Sequence, residues 1–126
     1  MRHWSERFFQ IEYKDMNCAE FVEYVQREQF GRDFKFPQSK GSLFLETQQI
    51  KEEIPKYVEE TKTPKDGDLV LMHGQRLMCH IGIYVRIGWS EYVLHTEGRI
   101  KVSSLHRIQD LNLYGYKLAR FYRWLK

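Results

Sequence analysis

"CHIGIYVRIGWSEYVLHT", residues 79–96, contains two alternating apolar runs around a glycine-bearing turn, and its reading sets the fold. In "CHIGIYV" (79–85) the period of two puts His80, Gly82 and Tyr84 on one face and Cys79, Ile81, Ile83 and Val85 on the other. "EYVLHT" (91–96) repeats the pattern, so the two runs predict an antiparallel hairpin. A turn centred on Ile87-Gly88 pairs His80 with His95. Directly opposed residues share a face with Cβ atoms about 4.5–5.5 Å apart, so the two imidazoles become neighbours where Gly82 lets another group come close.

Working outward, the turn-forming cluster "TKTPKDGD" (61–68) leads into "DLVLMH" (68–73), and "RIKVSS" (99–104) and "YKLARFYRW" (116–124) complete a meandering antiparallel sheet of about five strands. Helices precede it. In "NCAEFVEYVQREQFG" (17–31) Cys18, Phe21, Val22 and Val25 fall at helical spacing, and Gly31 ends the segment. Asn17 is a favoured N-cap and Glu20 completes a capping box, which makes Cys18 the first helical residue. A second helix is expected over 41–54, with Leu43, Thr47, Ile50 and Ile54 on one side and Pro55 interrupting it. Helices followed by an antiparallel sheet define an α+β layout.

The whole chain fits one domain, 1–126. Its 126 residues, 42% hydrophobic, are enough for a single core that buries roughly two-thirds of the unfolded surface, and no repeat or linker divides them. No run reaches the roughly 20 apolar residues of a membrane span, and "MRHWSERFFQIEYKD" lacks the apolar segment of a secretory signal, so synthesis and folding in a cytoplasm are expected. Two cysteines make no disulfide framework. The formal charge of +3 is compatible with polyanionic partners and does not require them. "KLARFYRWLK" mixes cations with aromatics as single-strand nucleic-acid binders do, but strand alternation explains it with one packed and one solvated face, and no nucleic-acid partner is expected. "KEEIPKYVEETK" (51–62) reads as charged surface.

The helix start gives Cys18 its interest. A helix N-terminus favours thiolate over thiol, and a nearby imidazole can take the proton. Cys18 as nucleophile, His80 as base and then acid, and His95 as the group that fixes the tautomer of His80 would make a triad, with first-turn N–H groups facing the oxyanion. Free cysteine is also among the most buried residue types, so the helical face taken alone favours a core role and does not decide the matter. His73 and His106 read as surface or strand-end histidines, and Cys79 as a core residue. No ligand pair of the C-x-x-C kind accompanies Cys18, His80 and His95, so neither metal nor cofactor is expected.

"NCAEFVEYV", "PKDGDLVLM", "HIGIYV" and "YVLHT" follow one another in the order and approximate spacing of NlpC-type papain-like cysteine peptidases, which the chain resembles over residues 13–124. The lecithin-retinol-acyltransferase-like relatives carry similar pieces with the histidine first; here the cysteine comes first. The resemblance implies a papain-like α+β fold and a hydrolase of peptidoglycan stem peptides, acting at a D-γ-glutamyl–diamino acid bond. It assigns Cys18 as nucleophile, His80 as base and His95 as third polar residue, with Tyr13, Asn17 and Gly82 at the substrate. Asn17 stands where the family usually has Asp, and Ala19 where a small hydroxyl residue often follows the cysteine.

Stand-alone domains of this kind are similar to those carried in bacteriophage tails. This implies a tail-associated enzyme made in the cytoplasm of the producing cell and delivered in the virion to the host periplasm and cell wall. The alternatives are a catalytically weak structural or assembly module of a tail tip and, third, a cytoplasmic amidase or acyltransferase acting on small amides. Residues 32–63, with Phe34 and Phe36 expected to be exposed, are the candidate contact for tail-tip proteins.

Overall fold

In the computed structural model the helix α1 runs over Cys18–Phe30, beginning where its spacing predicts, and buries Cys18, Phe21, Val22, Val25 and Gln26. The structure describes residues 3–8, 10–12, 18–35, 57–74, 79–96 and 102–125. The expected helix over 41–54, and Asn17 as cap of α1, lie outside them. No helix among the described residues is long and apolar enough to cross a membrane.

Six strands form one antiparallel sheet: β1 (Val58–Thr61), β2 (Leu69–His73), β3 (Cys79–Ile87), β4 (Ser90–Thr96), β5 (Ser103–Arg107) and β6 (Lys117–Trp124). Their order is β1-β6-β2-β3-β4-β5, so β2 to β5 meander as expected while β6 returns to the free edge of β2 and β1 adds outside it. The sheet therefore has one strand more than the sequence suggested.

That extra strand lies in the stretch read as charged surface. Val58 is buried, while Glu59 and Glu60 are exposed and pair with Arg123 and, at 3.2 Å, with Arg120 of β6. A four-residue edge strand with one apolar residue gives almost no periodic signal. β5 also differs, beginning at Ser103 rather than residue 99, with Val102 making an isolated bridge to Glu12. Phe34, expected to be exposed, is buried edge-on against Tyr57 and Trp124 at 4.9 and 5.0 Å between ring centroids. Phe36 lies outside the described residues.

Apolar residues line both faces of the central strands, as strands covered on two sides require. Leu69, Leu71, Ile81, Ile83 and Leu94 pack with Phe21, Val22 and Val25 of α1. Val70, Met72, Tyr84 and Val93 form a second cluster with Leu111, which belongs to the 3-10 helix Ile108–Tyr114. α1 is fastened by one buried polar side chain: Gln26 donates from Nε2 to the Gly67 carbonyl at 2.7 Å and accepts at Oε1 from Arg32 at 2.8 Å. Trp124 donates to the same carbonyl at 2.8 Å. The turn before β2 thus joins α1 to β6, and its Gly67 has φ of 93° with the Phe30 ring where a Cβ would stand.

Candidate active site

The β3–β4 hairpin turns at Gly88-Trp89, since Ile87 faces Ser90 and Ile83 faces Leu94. The expected turn at Ile87-Gly88 is therefore displaced by one residue and the register by two, so His95 falls beside Gly82 rather than opposite His80. Gly88, with φ of 64°, occupies the left-handed conformation that such a two-residue turn demands of its first central residue. A shift of two preserves the face, and the histidines still meet. His80 Nε2 and His95 Nδ1 are 2.7 Å apart, on a diagonal of the hairpin. The close approach over Gly82 is made by β4 itself: a Cβ there would stand 2.5 Å from Val93 Cγ2 and 3.1 Å from His95 Cβ.

A third histidine joins them. His106 on β5 pairs with Val93, which puts its ring on the same face, and its Nδ1 lies 3.1 Å from His95 Nε2. It sits half-buried at the next-to-last position of β5, near the strand end as expected, but its ring joins the histidine cluster, because β5 starts four residues later than its sequence pattern suggested. Tyr114 stacks on His106 at 3.7 Å and 4° between planes, and Tyr116 stacks on His80 at 4.7 Å. Gly115, with φ of 88°, ends the 3-10 helix between the two tyrosines. His106 and the tyrosines sit in a stretch with no catalytic motif; the β4–β5 register brings His106 here, and the end of the 3-10 helix before β6 brings the tyrosines.

Burial controls the charge of these rings. His80 is pushed down from 6.5 to about 4 by loss of water, and His95, fully buried, lies well below its ordinary value for the same reason, with His80 and His106 adding to it. Both are neutral at pH 7. A neutral imidazole has one donor and one acceptor nitrogen, and His95 uses both, so the three rings share a single polarity. With protons on Nε2, His80 donates to His95, His95 donates to His106, and His80 Nδ1 keeps a lone pair. With protons on Nδ1 the direction reverses and His80 Nδ1 is no longer a base. The rings bond in a line instead of converging on a point, and among the described residues no group of three His, Cys, Asp or Glu side chains is arranged to hold a metal ion.

Cys18 is the first residue of α1 and is 8% exposed. It packs in the cluster of Ile81, Ile83 and Leu94, whereas His80 and His95 contact Tyr116, which packs on the second cluster. The structure thus unites His80 with His95 and places Cys18 in the apolar cluster that also holds Ile81, the residue next to His80 on β3. His80 is the second residue of β3. Tyr13 and Asn17 lie outside the described residues, as does the side chain of Cys79.

The sequence profile of the NlpC/P60 family matches residues 6–112, which includes α1, the histidine-bearing hairpin and β5. The chain belongs to the NlpC/P60 family. Proteins of this family are in general cysteine peptidases or amidases that act on peptidoglycan. No curated protein matches the chain at a significant level.

Proposed function

We propose that the protein is a cysteine hydrolase that cleaves peptidoglycan stem peptides at a D-γ-glutamyl–diamino acid bond, using Cys18, His80 and His95. The observation that carries this reading is the 2.7 Å contact between His80 Nε2 and His95 Nδ1, which leaves His80 Nδ1 as the nitrogen to meet a thiol. In the reaction Cys18 Sγ attacks the scissile carbonyl carbon while His80 Nδ1 takes the thiol proton. The first turn of α1 faces the oxyanion with its N–H groups and the positive end of its dipole. His80 returns the proton to the departing amine, and water, deprotonated by the same nitrogen, releases the acyl group from sulfur. An imidazolium is costly at so buried a position, and acceptance of the His80 Nε2–H by His95 Nδ1 offsets that cost as the charge develops.

Delivery by a bacteriophage tail, from the cytoplasm of the producing cell to the host wall, is the outer part of the proposal and rests on the resemblance to tail-borne domains. A second reading is favoured by the burial of Cys18 among Ile81, Ile83 and Leu94: a structural tail-tip module that keeps the fold without useful catalysis. Digestion of isolated sacculi, with mass analysis of the released muropeptides, separates the two. A hydrolase frees peptides that begin at the diamino acid amine and leaves the γ-glutamyl carboxyl on the glycan-linked stem, and the Cys18→Ala variant frees none. A structural module leaves the sacculi intact in both cases.

A further inference from the structure

We propose that His106 is a positioning residue of the active site, the outer acceptor in a three-histidine relay that holds His95, and through it His80, in the tautomer that catalysis needs. The inference rests on the reading of His80 as the base. His95 is fully buried between two imidazoles, with Nδ1 at 2.7 Å from His80 Nε2 and Nε2 at 3.1 Å from His106 Nδ1. With both nitrogens engaged, the tautomer of His95 follows whichever neighbour supplies a bare nitrogen and whichever supplies a proton.

A neutral His106 protonated on Nε2 offers a bare Nδ1. His95 then carries its proton on Nε2, accepts from His80 Nε2–H, and His80 Nδ1 is left with the lone pair that takes the thiol proton. Protonation of His106 on Nδ1 imposes the opposite sequence and leaves neutral His80 with a proton where a base is required. The ring of His106 is fixed for this task by parallel stacking on Tyr114 and by the pairing of His106 with Val93. No proton crosses the relay during turnover; its outer member selects one of two hydrogen-bond directions.

The test compares His106→Leu, which fills the space without an acceptor, with His106→Asn, whose amide oxygen can stand where Nδ1 stood. Nitrogen-15 NMR of histidine-labelled protein reads the tautomers, and stem-peptide hydrolysis reads kcat and KM. The wild type is expected to carry protons on Nε2 of both His80 and His95. His106→Leu should mix the tautomers of His95 and lower kcat by about ten- to a hundredfold with KM within about twofold, while His106→Asn keeps the wild-type tautomers and most of kcat. Protons on Nδ1 of His80 and His95 in the wild type overturn the proposal, as does His106→Leu with unchanged tautomers and kcat. If the wild type hydrolyses no stem peptide, the hydrolase reading fails while the NMR comparison still decides the relay. If His106→Leu does not fold, the wild-type spectrum and His106→Asn decide it alone.

Discussion

His95 bonds His80 across a diagonal of the β3–β4 hairpin, its Nδ1 2.7 Å from His80 Nε2, although the two residues are not cross-strand partners. The contact gives the two rings different tasks. His80 Nε2 is spent on orientation and its Nδ1 remains for chemistry, while His95 has no nitrogen left for substrate. His80→Ala should therefore abolish stem-peptide hydrolysis. His95→Asn, with an amide oxygen where Nδ1 stood, should retain a measurable fraction. Equal loss in the two variants, both shown folded by circular dichroism, would mean that His95 does more than orient.

The two buried imidazoles make stability depend on pH. An unfolded His80 titrates near 6.5 and the folded one at about 4, so between these values the unfolded chain binds a proton that the folded chain refuses. The contribution is complete above pH 6.5, declines as pH falls and levels off below about 4, amounting to about 3 kcal/mol, with His95 acting in the same direction. Urea unfolding midpoints should thus drop steadily from pH 7 to pH 4.5. A midpoint flat across that range would show that the folded rings accept protons freely.

Cys18→Ala should separate catalysis from packing. Hydrolysis should vanish while the loss of one sulfur from the α1 cluster costs about 1 kcal/mol in urea unfolding. Iodoacetamide should inactivate the wild type in proportion to Cys18 alkylation, and the His80→Ala variant should alkylate more slowly. Identical alkylation rates would disconnect the thiol from the imidazole and favour the structural reading.

Gly82 has a steric reason to be glycine. In Gly82→Ala the new methyl would meet Val93 Cγ2, the Leu94 carbonyl oxygen at 3.0 Å and His95 Cβ, so β4 must move away. A cost of about 1–3 kcal/mol is expected, together with weaker hydrolysis because His95 moves with its strand. Calorimetry and kcat should fall together; a fall in kcat at unchanged stability would instead place Gly82 at the substrate.

Gln26→Leu tests how α1 is held. The variant leaves the Arg32 guanidinium without its Gln26 partner and removes the Gln26 donor to the Gly67 carbonyl, to which Trp124 also donates. Destabilisation of about 1–3 kcal/mol is expected in denaturant unfolding. Gln26→Glu, which keeps an acceptor for Arg32 but no donor for Gly67, should fall between Leu and wild type.

The sequence by itself determined the elements whose residues repeat with a period. Cys18, Phe21, Val22 and Val25 mark α1 because they fall at i, i+3, i+4 and i+7 and so share one helical face, and the alternation of "HIGIYV" and "YVLHT" marks β3 and β4. It also put His80 and His95 on one face, since that parity survives a register shift of two. Tertiary structure decided what has no local period. The turn at Gly88-Trp89 fixed the diagonal between the imidazoles. Val58 became a strand residue because the edge of β6 was there to pair with. His106 joined the site because pairing with β4, and not a pattern within its own segment, set where β5 begins.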